Sequence, residues 1–165
     1  MVKQYYSNEL YHHGVKGMKW GVRNEQQYIG NGLTLRRNKL SAPARFLRKV
    51  NPNMAKEQDK TYEYTVLSGK KKVGDLTLYQ ESANSVNVTW IGIKNKERGK
   101  HYASTVMDWT IKTAKDNGNN QLTLEVPSIS PDARHVYEKR GFVAGKQLSS
   151  SDDAWGGLTA MKKKL

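Results

Sequence analysis

Cysteine is absent from the 165 residues, which excludes disulfide frameworks, thiolate zinc sites and cysteine nucleophiles and fits a reducing compartment. No stretch approaches the roughly 18 consecutive apolar residues that a transmembrane helix needs. The opening Met1-Val-Lys-Gln-Tyr-Tyr-Ser-Asn-Glu9 also lacks the apolar core of a signal peptide. The chain is therefore expected to be soluble, with no membrane partner, in a cytoplasm or carried inside a larger particle. Acidic residues are scarce, 15 against 28 Lys and Arg, for a net charge of +13. The excess is uneven: residues 1–56 hold eleven cations and two carboxylates, whereas 57–165 is nearly balanced. A basic segment joined to a near-neutral domain suggests an arm that meets an anion, such as nucleic acid, an acidic protein surface or an acidic cofactor. Solubility alone is the plainer alternative.

With 18.7 kDa and 36% hydrophobic residues, the chain has room for one core and a short arm. Residues 1–23 carry Gly14, Gly17 and Gly21 among cations and histidines, so they read as an extended peptide. Residues 24–60 read as a connector with short elements: a strand at Leu33-Thr-Leu-Arg36, and a helical turn from Ala44 to Val50 ending before Asn51-Pro52-Asn53. From residue 61 the patterns sharpen. Apolar alternation predicts strands over 61–67, 73–79, 86–93, 121–126 and 158–163, with extended structure resuming at Phe142-Val143. Three- and four-residue spacings predict a helix over 101–117. A second helix, 132–139, starts from Ser130 as N-cap and Pro131 as its first residue. The order β-β-β-α-β-α-β-β in 61–165 implies an α/β fold, a mixed sheet covered by helices.

One segment carries chemistry. Ile91-Gly-Ile-Lys-Asn-Lys-Glu-Arg-Gly-Lys-His-Tyr-Ala103 ends a strand in a turn rich in glycine and cations and opens a helix. Free backbone N–H groups and the helix dipole would both face an anion there. The alternative is a solvated basic turn.

Taken with Leu122-Thr-Leu-Glu-Val126 and Asp132-Ala-Arg-His-Val-Tyr-Glu-Lys-Arg-Gly-Phe142, this segment resembles the GNAT family of acyl-CoA-dependent N-acetyltransferases over residues 61–164. The resemblance implies a mostly antiparallel sheet flanked by helices, acetyl-CoA as cofactor and an amine as acceptor. It implies that the loop Arg98, Gly99, Lys100, His101, Tyr102, Ala103 holds the pyrophosphate, and that Ile91 and Ile93 pair with the pantetheine arm. Tyr137 takes the place of the family's tyrosine acid, or is simply a packed aromatic. Ser130 stands where the family often has a cofactor-binding asparagine. His101 replaces the family's central glycine, a position that needs either close backbone approach or a permissive φ. It donates to phosphate, or it marks a site no longer used, as in a catalytically inactive GNAT-fold structural protein. Glu81, Glu125 and Asp132 are candidates for the general base.

The peptide Tyr11-His-His-Gly-Val-Lys-Gly-Met-Lys-Trp-Gly-Val-Arg23 is similar to a short segment of tailed-bacteriophage head and structural proteins. That likeness implies a partner-docking motif for a phage head or capsid protein, formed by His12, His13, Gly14, Val15, Lys16, Gly17, Met18, Lys19, Trp20, Gly21, Val22 and Arg23. In an extended strand Met18, Trp20 and Val22 share one face and Lys19 and Arg23 the other, which suits a sheet edge or a groove. Cations with Tyr5, Tyr6, Tyr11 and Trp20 also suit nucleic acid. Two adjacent histidines without a third ligand give no metal site.

Overall fold

The computed structural model describes residues 26–148 and 156–165, so the docking peptide expected at 11–23 lies outside the described residues. The elements are β1 (Gln26–Gly30), β2 (Leu33–Arg37), α1 (Ala42–Val50), α2 (Pro52–Lys60), β3 (Thr61–Ser68), β4 (Lys71–Ser82) and β5 (Ser85–Ile93). There follow a 3-10 turn (Asn95–Glu97), α3 (Tyr102–Asp116), β6 (Gln121–Pro127), α4 (Pro131–Glu138), β7 (Val143–Gln147) and β8 (Leu158–Lys164). They build one sheet in the order β1-β2-β3-β4-β5-β6-β8-β7. Each pairing is antiparallel except β5 with β6.

Alternation in β3 and β4 decides which face is covered. Register sets Tyr62 opposite Leu78 and Tyr64 opposite Leu76, so these four side chains share one face. With Leu33, Leu35, Val66, Val86 and Val88 they are buried. The helix α3 closes over them with Val106, Met107, Thr110 and Ala114, and the Trp109 ring meets Tyr64 edge-on at 5.7 Å. Each such aliphatic side chain contributes about 1.5–3 kcal/mol by leaving water. The alternate positions, Glu63, Thr77 and Trp90, fall on the opposite face.

The segment expected as a connector, residues 24–60, instead supplies part of the sheet. Leu33 and Leu35 alternate with Thr34 and fill the core, and Leu35 lies opposite Val66. The single helical turn expected near 44–50 is two helices. Asn51 ends α1 and caps α2, its Oδ1 accepting from the Asn53 and Met54 N–H groups at 3.1 Å. Pro52 opens α2, where its missing N–H costs nothing. Ser130 does precede α4, but its side chain makes no capping hydrogen bond; its carbonyl accepts from Arg134 N–H at 3.2 Å.

Candidate active site

The one parallel pair creates a notch. Strands β5 and β6 run in register from Ser85 opposite Gln121 to Val88 opposite Leu124. Beyond that point Trp90 to Ile93 pair only with β4, and Glu125 to Pro127 only with β8. The divergence starts at a β-bulge: Thr77 faces Trp90 and Leu78 faces Val88, leaving Thr89 as the extra residue that bends β5. A close backbone approach holds the bent end against β4, because a Cβ on Gly74 would lie 2.3 Å from the Gly92 carbonyl oxygen. One edge of β5 over Ile91 and Ile93 is thus left without a strand among the described residues. Because β5 and β6 are parallel, α3 and α4 both start at this end.

At the tip of β5 the Lys94 N–H donates to Val73 O at 2.9 Å, the 3-10 turn follows, and the chain enters α3 through Gly99 (φ 79°) and His101 (φ 59°). The first helical bond runs from Thr105 N–H to His101 O at 3.0 Å. The N–H groups of Gly99, Lys100, His101, Tyr102, Ala103 and Ser104 therefore have no acceptor among the described residues. Six unsatisfied donors at the positive end of a 15-residue helix make a cradle that fits a diphosphate. Of the two needs a glycine would serve at position 101, the structure shows the left-handed φ. The imidazole is exposed and makes no capping bond.

The loop is held by a carboxylate not singled out in the sequence. Glu97 is buried at 4% exposure. It accepts from Lys100 Nζ at 2.7 Å and from Lys71 Nζ. Hydrogen bonds from Lys100 first, and then from Lys71, hold its carboxyl down at about 2. Lys100 is correspondingly raised by Glu97. The Lys100 ammonium is therefore engaged within the protein, and what this residue offers an anion is its backbone N–H. Its carbonyl accepts from Asn31 Nδ2 at 2.9 Å, which ties the loop to the β1–β2 turn. Arg98, Lys94 and Lys96 have no carboxylate partner among the described residues. The signal for the clamp was present in the sequence: one acid in a cationic loop, three residues before a lysine.

On the other arm of the notch, Tyr137 sits two turns into α4. Its ring packs on the core and lies 5.9 Å from Phe142, and burial raises its hydroxyl above the usual phenol range. Of the three carboxylates, Glu125 lies on β6 just past the last residue paired with β5, exposed. Asp132 is in the first turn of α4. Glu81 lies at the opposite end of β5, accepting from Ser85 Oγ at 2.7 Å. Its strand end is thus the one away from the notch. Among the described residues no group of three His, Asp or Glu side chains could hold a metal, and no helix is long and apolar enough to cross a membrane.

A sheet whose single parallel pair splays beside a helix start of free amides is shared with acetyltransferases, as comparison with known proteins shows. Residues 37–142 match the family described as "Acetyltransferase (GNAT) family", and the chain belongs to it. Residues 3–27 match a second model, a family of unknown function (DUF7211). That match spans the glycine-rich peptide and runs into β1. Among solved structures, a GNAT family acetyltransferase from Elizabethkingia anophelis with acetyl-CoA bound superposes with a TM-score of 0.62 at 12% identity, covering 82% of this chain and 100% of that one. A Bacillus subtilis acetyltransferase in complex with CoA gives 0.60 at 13% identity, covering 81% and 99%. Spermidine N-acetyltransferase from Vibrio cholerae, in complex with CoA and spermine, gives 0.64 at 19% identity, covering 82% and 96%. These are likenesses of fold. No curated protein matches the chain in sequence.

Proposed function

We propose that the protein transfers an acetyl group from acetyl-CoA to an amine, and that its N-terminal peptide ties it to a phage head or capsid protein. The observation that carries the transferase reading is the row of six unpartnered N–H groups at the start of α3, beside the free edge of β5. Relatives of the same fold crystallised with acetyl-CoA or CoA support it.

In this reading the amides of Gly99 to Ala103 and the Arg98 guanidinium hold the pyrophosphate, and the backbone of Ile91 and Ile93 holds the pantetheine. Acetyl-CoA, when bound, supplies a thioester carbonyl open to attack. With it bound, an amine nitrogen would form the new C–N bond as the C–S bond breaks, and the Tyr137 phenol would give its proton to the departing sulfur. The amine's own proton passes to a carboxylate, for which Glu125 is better placed than Glu81 because it flanks the notch. A raised phenol pKa keeps that proton in place throughout the neutral range. Ser130, with no capping duty of its side chain, is left free to meet the cofactor.

Calorimetric titration with acetyl-CoA and with CoA tests the reading. Micromolar binding is expected. Its absence in the wild type with recovery in His101→Gly would favour a second reading, a GNAT fold retained as a structural protein, which the non-glycine residue at φ 59° specifically supports. The docking role of residues 11–23 rests on their likeness to a segment of tailed-bacteriophage head proteins and on the basic, glycine-rich composition. Removing residues 1–23 should abolish entry into particles while leaving acetyl-CoA binding intact; unaffected incorporation would end the docking idea.

A further inference from the structure

The sheet face turned away from α3 is polar and, among the described residues, uncovered beside the notch, and it carries an aromatic residue whose exposure does nothing for the core. Trp90 is 57% exposed. Its indole lies back along its own strand: a Cβ on Gly92 would come within 2.5 Å of Trp90 Nε1 and 3.0 Å of Cε2. Glycine at 92 is therefore the condition for this ring to lie over position 92. Cross-strand register fixes its neighbours. Gly92 lies opposite Asp75, and Trp90 lies opposite Thr77, which in turn lies opposite Glu63 on β3. At about 4.8 Å per strand, Glu63 stands about 10 Å across the sheet from Trp90, with only Thr77 between them.

Two carboxylates thus share the face with the ring, as does Arg36 opposite Thr65, in a protein of net charge +13. Asp75 meets Lys72 Nζ at 2.7 Å, whereas Glu63 is exposed and forms no ion pair among the described residues. On the far side α2 closes the face, its Glu57 accepting from Tyr79 hydroxyl at 2.7 Å. Across the notch, Glu125 presents to the same face. Asn87 Nδ2 donates to Thr123 Oγ1 at 2.9 Å, so Thr123, and Glu125 two residues on, lie on the Asn87 side of the sheet. Asn87 is opposite Tyr79, whose face is that of Thr77 and Trp90.

We infer that this face receives the acceptor, and that the acceptor is an aliphatic amine bearing a second positive charge, which rests between the Trp90 indole and Glu63. The inference rests on the acyl-transfer reading for its orientation: the amine to be acylated lies over the notch near Glu125, and the second ammonium lies over Thr77. The indole attracts a cation through its ring face, and Glu63 adds an opposite charge, together about tenfold in affinity over an amine with a single charge. The overall field of the protein runs the other way, repelling a dication more than a monocation. A preference for the dication must therefore come from this local surface.

The test follows the Trp90 indole N–H resonance, assigned by its loss in Trp90→Phe, during titration with 1,4-diaminobutane and with butylamine. The diamine is expected to shift that resonance saturably with a Kd about tenfold below that of butylamine, and the ratio is expected to fall towards one in Glu63→Gln. No shift with either amine, equal affinity for both, or an undiminished ratio in Glu63→Gln overturns the inference. A Gly92→Ala variant, which unseats the ring while keeping every charge, is expected to weaken the diamine preference as well. Parallel titration with acetyl-CoA keeps the two readings apart. Acetyl-CoA binding without an amine effect at Trp90 removes the platform and leaves the transferase, whereas the amine effect without acetyl-CoA binding does the reverse.

Discussion

Replacing His101 by glycine separates two things that position could be doing. In the structure His101 has φ 59° and ψ 19°, in the left-handed region. For an L-residue that conformation costs about 1–2 kcal/mol from the crowding of Cβ and the following carbonyl. Glycine removes this cost but gives the unfolded chain more freedom, which returns about 0.4–1 kcal/mol. The imidazole is exposed and makes no capping bond, so its removal takes no further interaction away. The net expectation is a gain of about 0.5–1 kcal/mol, or roughly 1–4 °C in Tm for a chain of this size. Differential scanning calorimetry without ligand measures it, with a urea titration to check that the m-value is unchanged. A fall in Tm would refute the reasoning, because it would mean that the imidazole stabilises the loop by more than the backbone strains it. The same variant titrated with acetyl-CoA asks the second question. Binding at least as tight as in the wild type means that a backbone free of Cβ is what the phosphates need, whereas weaker binding assigns the imidazole as a donor.

Tyr137→Phe should lower kcat while leaving the Kd for acetyl-CoA unchanged, and an unchanged kcat would remove Tyr137 from the mechanism. Since burial raises its pKa above the ordinary phenol range, Tyr137 should impose no loss of activity through neutral and mildly basic pH, and a basic limb in the pH–rate profile at pH 8–9 would have to come from another group. Glu97→Gln should destabilise the protein at neutral pH. Because the folded carboxyl sits at about 2 against an ordinary value of 4.5, the wild-type advantage is fully present above pH 4.5 and disappears as pH falls towards 2. Urea midpoints at pH 6 and pH 3 measure it, and a constant gap would show that the clamp is not electrostatic. Gly74→Ala places a Cβ 2.3 Å from Gly92 O, so a loss of roughly 2–3 kcal/mol in urea unfolding is expected, with weaker acetyl-CoA binding as β5 shifts.

Where burial alternates with position, the sequence could be read closely. The strands at 61–68 and 85–93 and the helix at 102–116 come within a residue or two of their predicted limits, since each has one face that must leave water. What escaped lacks that periodicity. The Gln26–Gly30 strand has the burial pattern of a surface edge and is recognisable only from its pairing with β2. The helix α2 buries no side chain and is specified by the Asn51 cap and Pro52 rather than by an apolar stripe. Tertiary register is harder still. The notch exists because Thr89 is unpaired, and the placing of Glu125 at it and of Glu81 away from it follows from which ends of β5 and β6 diverge. Glu97 was visible as a residue, but its role required knowing that Lys71, 26 positions earlier, reaches the same pocket.

The arrangement also separates two opposite charges that a transferase of this class must handle in one small site. An anionic cofactor and a cationic acceptor attract one another, so the surfaces that meet them must differ in charge to hold each in its own place. In the proposed function the anion is assigned to amides at the α3 terminus, on the side of the sheet that α3 covers, while the exposed carboxylates Glu63 and Glu125 belong to the other side. The loop cations are handled in the same sense. Lys71 and Lys100 share Glu97, which cancels one of their two charges and holds both ammonium groups, so the cradle relies mainly on fixed backbone donors that need no reorganisation to receive a phosphate, and one less net positive charge lies near the notch to repel an approaching ammonium. On this argument Glu97 acts on acceptor entry as well as on loop order. Glu97→Gln should therefore raise KM for a dication such as 1,4-diaminobutane more than for butylamine, with the difference shrinking as salt is raised and the exposed charges are screened. Equal changes in KM for the two amines at low salt would confine Glu97 to a structural role.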